Sequence, residues 1–368
     1  MAVFDINQFL YRNFITYDAL YNLNKIAFYG KSNSDQVNIF IDMRSLSKGL
    51  FNTNMEFGYK DQVTPIASSF INLAIHLREY YRSRHGVYAR IWLVWGTNEI
   101  APFPACPVPY NPHSSMSYNS NEVMKDMIAK CNETLKTICP YLKDVYFVNG
   151  DRYDTSAVIQ TMIVESELSH IYKGVPIIVY TKDPFACQLV ANNPYTFLFV
   201  PRKIKTNEGV YDTSHLVTKK SLYYSYGFLN GYKPVNDPSY LTNLFIPSMC
   251  LANVKCRDMK ILGPFNRIAK SINSMMGSEM ANAGNVGVDF VADRLIDNAY
   301  SSTPLHDKAG ALIEAKDIGI TLDIRNTVIT PEVRQQMHEG IIDLYSPEDL
   351  KRINDKYFIN YPIDLMRL

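Results

Sequence analysis

The stretch that decides the fold is VNIFIDMRSLSKGLF, Val37–Phe51. Val37–Ile41 is β-branched and aromatic, with Ile39, Phe40 and Ile41 apolar on consecutive positions. Such a run reads as a short strand covered on both faces, not as an edge with one wet side. It closes on Asp42, and small and apolar residues follow. A carboxylate at that place is suited to cap the helix that begins after it.

Moving outward, further strands are predicted at Ala89–Trp95, Asp144–Val148, Val175–Tyr180 and Thr196–Val200. Amphipathic helices lie between them. One spans about 64–83, with Ile66, Phe70, Leu73, Leu77 and Tyr80 on one stripe. A second spans about 121–137, with Val123, Met127, Cys131 and Leu135, and a third follows Asp154, with Val158, Met162, Ile163 and Leu168. Alternating strands and helices predict an α/β fold with a mostly parallel central sheet flanked by helices. Sites in such sheets lie at the carboxyl ends of the strands. The proline-rich Glu99–Asn121 reads as a long surface loop, 201–240 as an insertion or hairpin, and 275–287 as a linker. Mainly helices are expected from about Tyr240. The expected division is an α/β domain over 1–200, the 201–240 segment, and a mainly helical C-terminal region over 241–368.

The composition sets bounds on function. The chain has 368 residues, 47% of them apolar and 12% aromatic, which excludes a disordered tail and a coiled coil. No apolar run is long enough to span a membrane, and the N-terminus lacks a secretory pattern. Six cysteines and seven histidines are dispersed without zinc or redox spacing, so free thiols in a reducing compartment are expected.

A net charge of +1 argues against a simple polyanion binder. Its distribution argues otherwise. Residues 1–199 carry 17 basic and 17 acidic side chains, 200–286 carry 11 and 5, and 287–349 carry 5 and 12. The middle segment is a candidate polyanion-facing surface, or a segment that neutralises the acidic one within the fold.

Several short strings, in order, resemble the 5′-nuclease superfamily, the flap endonucleases and phage 5′→3′ exonucleases with a PIN-like α/β domain. IFIDMRSLSKGLF is similar to the family's opening strand, with Asp42, Leu46, Gly49 and Phe51 at comparable places. DRYDTSAVI resembles its E-A-D-D-V-I helix start, and VYTKDPFACQLV its D-K-D-x-x-Q-L strand end. KILGPFNRIAKSI resembles its glycine-containing, DNA-binding helical hairpin, placing a helix-hairpin-helix-like segment over 255–276. The start MAVFDINQF and the end NDKYFINYPIDLMRL are similar to exonucleases of short-tailed phages, implying a phage or viral origin.

The resemblance implies hydrolysis by two Mg²⁺ ions held among clustered carboxylates. Asp42, Asp154 and Asp183 occupy three of the acidic positions. Gly96, Ser156, Ala157 and Thr181 stand where the family has acids, and PSMCLANVKCRD offers only Asp258, too close to Gly263. Each remaining aspartate also fits a capping role: Asp154 stands at an N-cap position and Asp183 precedes Pro184. The active relatives' basic arch would fall in Glu99–Asn121, which has no Lys or Arg. The expectation is a catalytically degenerate relative, a pseudoenzyme without cofactor, that binds nucleic acid or serves a virion or replication assembly through protein partners. It would act in the host cytoplasm or the virion. The nucleic-acid candidates are Lys255, Arg257, Lys260, Gly263, Arg267 and Lys270. Arg202, Lys203, Lys205, Lys219 and Lys220, interleaved with Tyr211, Tyr223, Tyr224 and Tyr226, suit single-strand stacking or hairpin packing. The alternatives are an active Mg²⁺-dependent exonuclease with Asp42, Asp154 and Asp183 as ligands, and a purely structural protein without DNA contact.

Overall fold

The computed structural model describes residues 36–47, 63–96, 122–150, 153–168, 175–193, 195–207, 209–230, 235, 240–252, 255–256, 259–260, 263–284, 286–300 and 323–326. The Glu99–Asn121 loop, Arg257 and the terminal strings lie outside them. The α/β part runs β1 (Gln36–Asp42), α1 (Val63–His85), β2 (Tyr88–Trp95), α2 (Glu122–Ile138), β3 (Val145–Asn149), α3 (Thr155–Leu168), β4 (Ile177–Tyr180), α4 (Cys187–Asn192), β5 (Thr196–Thr206) and β6 (Gly209–Val217). Then come α5 (Leu222–Leu229), α6 (Phe245–Leu251), the short strands β7 (Lys255–Cys256) and β8 (Met259–Lys260), α7 (Phe265–Met280) and α8 (Val288–Tyr300). Among the described residues no helix is long and apolar enough to cross a membrane.

Six strands form one sheet in the order β3-β2-β1-β4-β5-β6. The first five are parallel and β6 runs antiparallel to β5. This is the mostly parallel, helix-flanked α/β sheet expected from the sequence. β1 holds the centre and alternates faces, as a period of two requires. Val37, Ile39 and Ile41 join the apolar cluster formed with α1 and α2, while Phe40 joins the cluster on the opposite face. That second cluster is continuous from Phe40 through α3 and α4 to Phe265, Val291 and Ile324. Burial of both faces is why these strands read as apolar runs.

Local chemistry sets the ends of the elements. α1 stops at Gly86, whose φ of 63° suits glycine and whose N–H reaches the Arg82 carbonyl at 3.0 Å. β5 pairs with β4 only up to Phe199 and continues beside β6 as a two-stranded ribbon. Pro201 therefore lies where β5 has a single neighbour, which is where a strand tolerates proline.

Two expectations in the C-terminal region are corrected. The segment 255–276 does not begin with a helix. β7 and β8 pair there as an antiparallel ribbon, and Pro264, at φ −66° and ψ 160°, holds the chain extended so that α7 starts only at Phe265. The two helices flanking this ribbon are α6 and α7. The linker expected at 275–287 instead begins inside α7, which continues to Met280 because Met276 is buried against the core.

Candidate functional site

The strand order reverses between β1 and β4, so the crevice at their carboxyl ends is the place where this architecture binds ligands. Asp42 ends β1 there, and Thr181-Lys182-Asp183 follows β4. Asp154 enters the same edge from the N-terminus of α3.

Each aspartate is engaged by backbone N–H groups at the start of a helical turn. Asp42 Oδ1 accepts from Ser45 N at 3.1 Å. Asp154 Oδ1 accepts from Ser156 N at 2.8 Å. Asp183 Oδ1 accepts from Phe185 N at 3.0 Å and caps the short turn Pro184–Ala186. Carboxylates at helix starts satisfy orphan donors and favour the positive end of the helix dipole.

Thr181 links β1 to β4. Its hydroxyl donates to Asp42 Oδ2 at 2.7 Å and accepts from Asp183 N at 2.9 Å. Ser45 Oγ accepts from Lys182 N at 2.9 Å and lies 3.2 Å from Thr181 Oγ1. Both carboxylate oxygens of Asp42 are thus bonded within the protein, and Asp42, Ser45 and Thr181 are all buried.

Arg44 brings a guanidinium to this site. Its guanidinium lies 3.6 Å from Asp154 Oδ2 and the residue is only 7% exposed, so the pair is shielded from water. Burial raises Asp183 to about 7, and the nearby charges of Asp154 and Asp42 push the same way; the Phe185 N–H and Arg44 oppose the rise. The three acids therefore feel one another's fields, with one guanidinium among them.

Gly96 closes the other side of this edge. A Cβ there would lie 2.5 Å from the Tyr153 carbonyl oxygen and 2.6 Å from Thr155 N. Gly150 is similarly tight, with its N–H 2.6 Å from the Trp95 carbonyl. The chain before α3 is packed directly onto the end of β2, where the resembled family carries an acid.

These residues do not fit a two-Mg²⁺ centre. Mg²⁺ takes oxygen ligands in octahedral array and keeps waters, whereas here Asp42 is bonded at both oxygens, Asp154 faces a guanidinium and Gly96 has no room for a side chain. Among the described residues no group of three or more His, Cys, Asp or Glu is arranged to hold a metal.

The nucleic-acid candidates lie elsewhere in the chain. Lys255 stands opposite Lys260 in the β7–β8 register. Gly263 precedes α7 and is half-buried, and Arg267 and Lys270 are exposed on that helix. Tyr223 and Tyr226, candidates for base stacking, are instead buried with Phe245 and Phe265, and Tyr226 meets the Phe265 ring at 4.5 Å. Arg44 and Ser45 are site residues the sequence did not single out. Their only sequence signal is a basic and a hydroxyl residue directly after the strand-ending Asp42.

No protein-family model matches the chain, and no curated protein matches it. Two solved structures from bacteriophage T5 are similar to it. One is a 5′-exonuclease with bound zinc ions, 12% identical, with a TM-score of 0.40, covering 90% of this chain and 90% of that one. The other is a flap endonuclease in a pseudo-enzyme–product complex with DNA and metal ions, 12% identical, with a TM-score of 0.35, covering 90% of this chain and 99% of that one.

Proposed function

We propose that this chain is a catalytically degenerate 5′-nuclease-like protein that acts by binding nucleic acid. The observation that carries the reading is the engagement of the three remaining acids: all cap helical turns, and one faces a buried arginine. The ordered strings quoted above support the family and a phage origin. A role in a virion or replication assembly, with protein partners, is part of the same proposal.

The binding surface we assign is the β7–β8 ribbon with the start of α7. Register places Lys255 across from Lys260, so both lysines belong to the one ribbon. Arg267 and Lys270 extend the basic surface along α7, while Ile268, Ala269 and Ile272 bury the opposite side of the helix. Arg257, between β7 and β8 in sequence, belongs to the same proposal. Basic side chains and backbone N–H groups contact phosphates without reading sequence.

One observation favours the second reading, an active Mg²⁺-dependent 5′→3′ exonuclease. The fields of Asp154 and Asp42 help to raise Asp183 to about 7, as expected for acids gathered at one place.

Incubation with 5′-labelled flap and duplex DNA in Mg²⁺, Mn²⁺ or EDTA separates the two. No metal-dependent cleavage is expected. Cleavage abolished by EDTA and by Asp42→Ala establishes the exonuclease. Filter binding across a salt series then tests the surface: log affinity falls by ~0.9 per phosphate neutralised for each log unit of salt. Lys260→Ala with Arg267→Ala is expected to remove most of that binding. Absence of salt-dependent binding favours a purely structural protein, whereas binding unchanged by the two substitutions overturns the assignment of the ribbon and α7 as the interface.

A further inference from the structure

We infer that Arg44 is a resident counter-cation: its guanidinium supplies, from within the chain, the positive charge that the aspartates at the β1/β4 crevice would otherwise draw from a divalent ion. The inference deepens the non-catalytic reading and rests on it.

Three observations on separate elements carry it. Asp42 ends β1, Asp154 begins α3 and Asp183 follows β4, so the fold brings three acids to one edge by topology, not by local sequence. Arg44 lies two residues after Asp42, is itself more than nine-tenths buried, and reaches Asp154 across the edge at 3.6 Å. Each carboxylate also has a backbone N–H at its Oδ1. A guanidinium is always charged and weakly hydrated, which makes it the basic side chain best suited to a buried position among carboxylates. Breaking such a pair from one side leaves an uncompensated buried charge. Removing the arginine therefore takes the guanidinium away from Asp154, and a hard divalent ion is the substitute tested for. Arg44 acts here as a positioning residue, because it holds Asp154 at the cap of α3 and touches no reacting group.

The test is thermal unfolding of the full chain, comparing wild type, Arg44→Met and Arg44→Lys in EDTA, Mg²⁺ and Mn²⁺. The wild-type midpoint is expected to be the same in all three conditions. Arg44→Met is expected to unfold several degrees lower in EDTA, and to recover about 2–4 °C with saturating Mn²⁺. Arg44→Lys keeps the charge and is expected to lie between the two without a metal response. Asp154→Asn placed on Arg44→Met removes a ligand and is expected to abolish the recovery.

An Arg44→Met protein that Mn²⁺ does not stabilise overturns the inference. If that variant is recovered unfolded in EDTA, refolding in Mn²⁺ supports the inference and failure to refold overturns it. A saturable metal shift in wild type that disappears in Asp154→Asn also overturns it. Nuclease activity of wild type on flap DNA is followed in parallel. Cleavage there sinks the non-catalytic reading, whereas a metal-blind Arg44→Met with an inactive wild type sinks only the role given to Arg44.

Discussion

Gly96 leaves no room for a side chain at the end of β2. Any Cβ at this position meets the Tyr153 carbonyl and the Thr155 amide below 3 Å, and both are backbone atoms that can yield only by moving the start of α3. Gly96→Asp is therefore expected to lose about 2–4 kcal/mol in urea unfolding and to gain no Mn²⁺ binding. Asp183 gives a pH-dependent test. Its group is raised from near 3.8 to about 7 in the folded state, so the folded protein holds a proton that the unfolded chain releases between those values. Stability is fully present below the unfolded value and falls as pH rises through the folded one. Asp183→Asn keeps an oxygen for the Phe185 N–H and removes the charge. It is expected to flatten the slope and to stabilise the protein by about 1–3 kcal/mol above about pH 8 relative to wild type, read by urea unfolding at two pH values. The three aspartates were legible in sequence because each follows a strand or opens a helix. Arg44 was not: its burial depends on a partner at residue 154, and nothing local to 44 indicates that partner.

Elements were legible where their apolar pattern was self-sufficient. Strands β1 to β4 and helices α1 to α3 were read within a few residues of where they lie. The ribbon at 255–260 was not, because its two-residue strands are too short to show a period of two. Residues 275–280 read as part of a linker because they run, with Gly277 and Ser278 among them, into a small, polar stretch that lacks a clear apolar period. Burial of Met276 in the cluster shared with Phe265 and Ile272 is a tertiary effect that overrides this composition. The aromatic set Tyr223, Tyr226, Phe245 and Phe265 joins α5, α6 and α7 through edge-to-face and tilted contacts. Phe265→Ala is expected to cost about 3–5 kcal/mol, measured by urea unfolding, and to lower DNA affinity only through the loss of folded protein. The 323–326 turn is fixed in a different way. Asp323, 1% exposed, pairs with Arg325, which also donates to the Val286 carbonyl at 2.9 Å, and Ile324 N donates to Gln188 Oε1 at 3.2 Å. Asp323→Ala leaves Arg325 uncompensated at a largely buried place, and is expected to cost about 3 kcal/mol in the same measurement.

At the scale of the whole molecule, the net charge of +1 conceals a division of labour. A neutral α/β sheet carries the crevice, and the segment from 200 to 286, with 11 basic and 5 acidic side chains, carries the ribbon and α7. Metal-dependent hydrolysis at this crevice would need its acids to remain available to metal. Here the same acids are engaged by backbone N–H groups, Asp42 also by Thr181 and Asp154 also by Arg44. The proposed binding surface is thus separate in sequence and fold from the crevice. Substitutions at the ribbon are expected to weaken nucleic-acid affinity without changing stability, and substitutions at the crevice to do the reverse. The measurement that tests this most directly is a crystal structure of the wild-type protein grown in Mn²⁺, with anomalous scattering recorded. No Mn²⁺ peak is expected at the β1/β4 crevice, and the Arg44–Asp154 pair is expected to be intact. One or two Mn²⁺ ions bound there by Asp42, Asp154 and Asp183, with Arg44 swung away, would contradict it.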